Sequence, residues 1–107
     1  MKKILVVGEY GIDKFVYGRI ERLNPEAPTP VMIPTYEKEN LGMAGNVYKN
    51  LESTGEFEVE FFGNPVPAIK TRFVEEKSNY ILLRTDENDH VQRIESIPYN
   101  YIASFDA

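Results

Sequence analysis

Apolar and polar residues along the chain fall into a succession of short blocks. Ile4–Val7 is a continuous, largely β-branched apolar run closed by Gly8, the pattern of a strand buried on both faces. Phe15–Leu23 alternates loosely and predicts a second strand. Asn24–Pro34 carries Pro25, Pro28, Pro30 and Pro34. Proline has no backbone N–H to donate, so this stretch is expected to be extended, at a sheet edge or in a loop. Asn40–Thr54 predicts the one convincing helix, because Ala44, Val47, Tyr48 and Leu51 fall on a single stripe at three- and four-residue spacing. Asn40 is placed to cap its start, and Gly55 suits the left-handed position past its end. Glu56–Phe62 alternates strictly, with Phe57, Val59 and Phe61 opposite Glu56, Glu58 and Glu60, which predicts a strand with one wet face. Ile69–Val74 and Tyr80–Thr85 predict two more strands joined by the polar hairpin connection Glu75–Asn79. Asp86–His90 reads as a solvated turn, and Tyr99–Phe105 as a last short strand.

The order strand, strand, extended segment, helix, strand, hairpin, strand places the chain in the α/β class. One helix cannot cover both faces of a sheet this large, and the acidic side of Glu56–Phe62 points the same way. Composition narrows the picture further. A length of 107 residues fits one domain. With 42% hydrophobic and 27% charged residues the chain has an ordinary globular balance. Absence of cysteine excludes disulfides and thiolate metal sites and suits a reducing cytoplasm, where the protein is expected to reside. A net charge of −5 argues against a phosphate-backbone binder, so no nucleic-acid partner is expected, although a local basic pocket for one small anion is compatible with it. No apolar run approaches the roughly 20 residues of a membrane span, so no membrane partner is expected either. Lys2-Lys3 ahead of Ile4–Val7 imitates a signal peptide, but the run is too short and Gly8-Glu9 interrupts it.

Three segments carry candidate chemistry. Gly8-Glu9-Tyr10-Gly11-Ile12-Asp13 follows the first buried strand, and ligands of α/β proteins bind at the carboxyl ends of such strands. Asp13 can accept hydrogen bonds from sugar hydroxyls; the same segment also serves simply as a turn. Leu41–Asn46 opens the helix, and its small residues let a ligand approach backbone N–H groups at the positive dipole end. There Asn46 offers both a donor and an acceptor, while Gly42 and Gly45 equally permit close packing alone. Lys70 and Arg72 point to one face of a strand, as an anion clamp or as a solvated edge. Asp86–His90 holds metal-ligand residue types without the spacing or the glycine of a calcium loop. With a single histidine and no Ser-His-Asp or Cys-His arrangement, no catalytic residue, metal or cofactor is assigned.

Taken together, Lys3–Glu9, Asp13, Tyr17-Gly18 and above all Arg22-Leu23-Asn24-Pro25-Glu26-Ala27-Pro28-Thr29-Pro30-Val31 resemble the amino terminus of the D-glycero-β-D-manno-heptose-7-phosphate kinases, within the ribokinase (PfkB-type) carbohydrate kinase family. Gly42–Leu51 is similar to the family's Gly-Gly-x-x-x-Asn helix start. Ile69–Arg72 and Leu82–Asp86 resemble its later strands. The resemblance implies a single truncated ribokinase-like domain over residues 1–107, with part of the α/β sheet, one main helix and an extended β lid (about 14–36 and 68–86). It implies substrate contacts at Asp13, Gly42, Asn46, Lys70 and Arg72, a sugar or sugar phosphate as ligand, and a homodimer formed through the lid strands. The family's further strands and helices between the positions of Gly63 and Pro67 are replaced by Asn64-Pro65-Val66, and its nucleotide-binding half has no counterpart. All seven glycines lie at or before Gly63, so the last 44 residues hold no Gly-Ala-Gly-Asp loop for the transferring phosphoryl group. Met43 stands where the family has its second glycine, and its side chain is expected to crowd the sugar. The implied function is a reduced, non-catalytic sugar-kinase relative. The alternatives are the sugar-binding half of a split kinase, or a dimeric interaction protein without ligand.

Overall fold

The computed structural model describes residues 1–90 and 93–107. Its elements run β1 (Lys2–Val7), β2 (Tyr10–Leu23), β3 (Pro30–Met43), α1 (Ala44–Ser53), β4 (Phe57–Phe62), β5 (Ala68–Glu75), β6 (Tyr80–Glu87) and α2 (Tyr99–Ala103). This is the mixed α/β arrangement with one main helix that the sequence predicts. The strands form two sheets. β1 and β4 pair in parallel, from Lys2 opposite Phe57 to Val7 opposite Phe62. The larger sheet has the order β3-β2-β5-β6, with β2 antiparallel to β3, β2 parallel to β5, and β5 antiparallel to β6.

The molecule measures 61 × 30 × 14 Å, so over most of its extent it is little more than one sheet thick. Its core is correspondingly thin. Among the described residues the buried large apolar side chains are Val16 and Val74, and no side chain is completely buried. The first strand is half-buried rather than buried on both faces, because α1 is the one long helix available to cover it. Among the described residues no helix is long and apolar enough to cross a membrane.

Three local expectations need correction. The helix starts at Ala44, and Asn40 is not its cap: Asn40 lies inside β3 opposite Asp13, so ladder pairing carries the chain on to Met43, which takes the cap position without a side-chain hydrogen bond. The proline-rich stretch, by contrast, is as expected: a loop up to Thr29 and, from Pro30 onward, strand β3 at the sheet edge, where missing donors cost least. Tyr99–Phe105 is not a strand. Its first five residues are α2, braced by the edge-on pair Tyr101–Phe105 and by a hydrogen bond from the Tyr101 hydroxyl to Glu60. Finally, Asp86 and Glu87 belong to β6, so the turn begins only at Asn88, with φ 54°. The hairpin connection after Glu75 and the left-handed Gly55 (φ 70°) are as the residues predict.

Alternation along β6 is also broken. The register shifts between Phe73 and Val74, so that Leu83 lies opposite Phe73 while Ile81 lies opposite Val74. Neighbouring residues of β5 point to opposite faces. Ile81 and Leu83 therefore do not share a face, and Leu82 joins Leu83 in lining one groove with Phe73 and Met32.

Candidate functional site

Directly opposed residues in a sheet share a face, so register alone shows which side chains of the larger sheet lie together. One cross-strand row reads Asn40, Asp13, Lys70, Asp86, and the next reads Lys38, Phe15, Arg72, Arg84. Parallel pairing of β2 with β5 is what brings Asp13 beside Lys70 and Arg72, some sixty residues later in the chain. Asn64 supports this join. Its buried amide accepts a hydrogen bond from the Tyr10 N–H (2.8 Å) and donates one to the Val66 carbonyl (2.8 Å), tying the start of β2 to the segment that leads into β5.

Asp13, Gly42, Lys70 and Arg72 line one depression of about 280 Å³, together with Gly11, Ile12, Met43 and Ala68. An Arg72 Nη1–Asp13 Oδ1 ion pair of 3.3 Å crosses it. Among the described residues Lys70 has no such partner. Gly42 forms the wall against the carboxylate: a Cβ there would sit 3.0 Å from Asp13 Oδ2. The structure thus brings four of the five sequence-predicted site residues together and leaves out the fifth. Asn46 is exposed on the first turn of α1 and does not line the depression. The neighbouring Gly45 serves packing, since a Cβ there would come within 3.1 Å of Leu41 and 3.3 Å of Tyr10.

Met43 adopts φ 57° and ψ −131°, a backbone conformation that favours glycine, and its side chain is exposed on the rim of the depression. It is thus in a position to crowd a ligand, although it precedes the helix rather than lying in it. His90 lies in a smaller cleft with Glu9, Asn64 and Asn88. Among the described residues no group of three His, Cys, Asp or Glu side chains comes together to hold a metal ion.

Two further residues of this face escape inspection of the sequence. Arg72 lies over the ring of Phe15, 5.4 Å from its centroid, and Arg84 stands directly opposite Arg72 on β6. Nothing in the linear order couples positions 15, 72 and 84; the signal is strand register.

The chain was compared with known proteins. No family model matches it. Over 53 residues it is 55% identical to Bifunctional protein HldE of Helicobacter pylori strain P12, a match covering 50% of this chain and 12% of that protein. Over 54 residues it is 43% identical to Bifunctional protein HldE of Bradyrhizobium diazoefficiens, and over another 54-residue match 44% identical to that of Caulobacter vibrioides, each match covering 50% of this chain and 11% of the relative. The matched segment is thus about a tenth of the length of these relatives. Among solved structures, a carbohydrate kinase from Agrobacterium tumefaciens superposes on 81% of this chain and 36% of its own, with a TM-score of 0.44 and 19% identity. So distant a superposition adds no weight, and the sugar-kinase-like relationship rests on the sequence match over half of the chain.

Proposed function

We propose that this chain is a sugar-kinase-like module that binds a sugar or sugar phosphate in the depression at Asp13, Gly42, Lys70 and Arg72, without transferring a phosphoryl group by itself. The observation that carries the reading is the convergence of a carboxylate, an open glycine wall and two cations from β2, β3 and β5 at one place. Asp13 and the backbone around Gly42 suit hydroxyls, and Lys70 and Arg72 suit an anionic substituent. A space of about 280 Å³ lies just below the range of small-ligand pockets, which runs from roughly 300 Å³ upward. The cysteine-free chain is in keeping with a reducing compartment, and we place it in the cytoplasm.

Titration with a hexose or heptose phosphate, followed by amide chemical shifts, tests the site. Shifts should centre on Asp13, Gly42 and Arg72. Shifts confined to Asp86–His90, or none at millimolar ligand, would rule the site out. Purified protein should release no ADP from ATP in the presence of a sugar. Sugar-dependent release abolished by Asp13→Ala would defeat the non-catalytic reading, and release appearing only on mixing with a second chain that carries an ATP site would favour the split-kinase alternative.

A second observation favours self-association. On the other face of the larger sheet, Met32, Phe73, Leu82 and Leu83 line an apolar groove of about 320 Å³, and Leu83 is 58% exposed. Open apolar surface of this kind, beside the edge of β6 that is unpaired among the described residues, is what pairing of two copies through these strands would cover.

A further inference from the structure

The two edges of the small β1–β4 sheet are finished differently. Beyond β1 the chain closes the edge itself: the Leu5 N–H donates to the Ala107 carbonyl at 2.8 Å, and the Asp106 N–H to the Lys3 carbonyl at 2.8 Å. Beyond β4 no strand is paired among the described residues. The Phe62 carbonyl accepts from the Gly8 N–H at 3.2 Å, so Phe62 turns its backbone groups toward β1. Successive residues of a strand turn theirs to alternate sides. Glu58 and Glu60 therefore also serve the β1 ladder, whereas Phe57, Val59 and Phe61 present their N–H and C=O groups outward. A row of open backbone groups is a template for one more strand.

Side chains along this edge decide which strand can join it. Glu58 and Glu60 are exposed on one face, and among the described residues neither is in an ion pair. Lys3 lies directly opposite Glu58 on β1, with its ammonium 5.3 Å from the Phe105 ring centroid. On the other face Phe57, Val59 and Phe61 are half-buried, with Phe61 5.7 Å from the Tyr48 ring of α1. Opposed residues share a face. A second copy of β4 laid antiparallel along the edge would therefore set Glu58 against Glu60, or each against itself, in the registers that pair most of the strand. The acids thus guard the edge against copies of itself. A strand with cations opposite the glutamates and apolar residues opposite Val59 and Phe61 gains on both faces. β1 already has that pattern, with Lys3 opposite Glu58, and Ile4 and Val6 opposite Val59 and Phe61.

We propose that the open edge of β4 is a docking site for an extended segment of another protein in which basic residues alternate with apolar ones. The backbone of Phe57, Val59 and Phe61 supplies the ladder, and Glu58 and Glu60 supply the preference for a basic partner. Apolar residues of the incoming segment fall on the side of the sheet where α1 packs. The site lies on the small sheet and stands whether or not the depression on the larger sheet holds a sugar.

Three short synthetic peptides test this on the intact chain: alternating lysine and valine, alternating glutamate and valine, and the lysine–valine peptide with its backbone nitrogens methylated. The readout is amide hydrogen exchange followed by NMR. In the free protein Val59 and Phe61 should exchange faster than Glu58 and Glu60. The lysine–valine peptide should slow exchange at Val59 and Phe61 by about tenfold or more, and the other two peptides should not. Glu58→Gln should weaken its binding about threefold, the weight of one exposed ion pair, while Glu39→Gln on the other sheet should leave it unchanged. Equal binding of the methylated peptide would reduce the effect to charge attraction and overturn the proposal. Equal binding of the glutamate–valine peptide would overturn the preference for a basic partner. Protection of Val59 and Phe61 that grows with protein concentration, without peptide, would make the edge a contact between copies and refute the proposal. No protection at millimolar lysine–valine peptide would overturn it outright.

Discussion

The two faces of the four-stranded sheet are built by the same strands and differ in almost every chemical respect. One carries Lys38, Lys70, Arg72 and Arg84 around Asp13, with the ring ladder Phe15, Tyr17 and Tyr36 behind them. On the other, the rows are Glu39, Lys14, Thr71, Thr85 and Glu37, Val16, Phe73, Leu83, an apolar strip edged with acids. Because the side-chain period of a strand is two, a single-residue slip of β5 against β2 would carry Lys70 and Arg72 to the face opposite Asp13. The difference shows how a thin sheet does without a deep core. One face gathers cations and a carboxylate around an open depression, and the other leaves an apolar groove exposed.

The apolar face gives the largest expected effect. Leu83→Asp should convert the proposed dimer to a monomer and cost roughly 2–4 kcal/mol of association, the scale of an interface anchor. Leu82→Asp should do nearly as much, since the shifted register brings both side chains to the same groove. Light scattering at micromolar concentration checks this, and a monomeric mass for the unaltered protein would remove the groove as a dimer surface.

Next comes the strained rim of the depression. Met43→Gly should raise stability by about 1–2 kcal/mol, because glycine adopts φ 57° without the penalty that a larger side chain carries. It should also strengthen sugar binding by removing a side chain from the depression. Thermal melting and calorimetry separate the two gains. An unchanged melting temperature would show that this backbone conformation costs nothing.

A smaller change sharpens the contrast within the same face. Gly42→Ala places a methyl 3.0 Å from the Asp13 carboxylate, which must shift by a few tenths of an ångström. Ligand affinity should fall severalfold while stability stays within about 0.5 kcal/mol, as for most substitutions outside a packed core. Unaltered affinity would mean that the ligand does not use Asp13 as positioned here.

The smallest effect lies away from both faces. Tyr101 and Tyr48 have pKa values raised by hydrogen bonds to Glu60 and Glu52. A raised folded-state value means that this support is complete below the ordinary tyrosine range, about pH 10, and is lost as pH rises through the raised value. Absorbance titration should show two late-titrating tyrosines, and Glu60→Gln should return Tyr101 to the ordinary range. Stability between pH 6 and 9 should not respond.

Much of the architecture was legible in the order of residues. Strict alternation in Glu56–Phe62 marked β4, the stripe Ala44, Val47, Tyr48 and Leu51 marked α1, and the polar run after Glu75 marked the β5–β6 connection. Local periodicity and turn chemistry suffice for these because they depend on neighbours a few residues away. The second half of β3 is a different matter: residues 35–43 have no clean alternation, and they are strand because β2 offers them a ladder. Likewise Tyr99–Ala103 is helical where its aromatic content suggested strand, and the chain pairs with the edge of β1 only beyond it, at Asp106 and Ala107.

The candidate site divides along the same line. The sequence by itself supplied Asp13, Gly42, Lys70 and Arg72 as residues with the right chemistry, the net charge that argues against a nucleic-acid surface, and the kinship with sugar kinases over half of the chain. Only the tertiary structure decided that β2 runs parallel to β5, which seats Asp13 against Arg72, adds Phe15 and Arg84 to their face, and leaves Asn46 outside. The physical reason is that side-chain type and local period are written residue by residue, whereas strand register is settled by long-range pairing and burial, and a shift of one position changes every neighbour across the sheet.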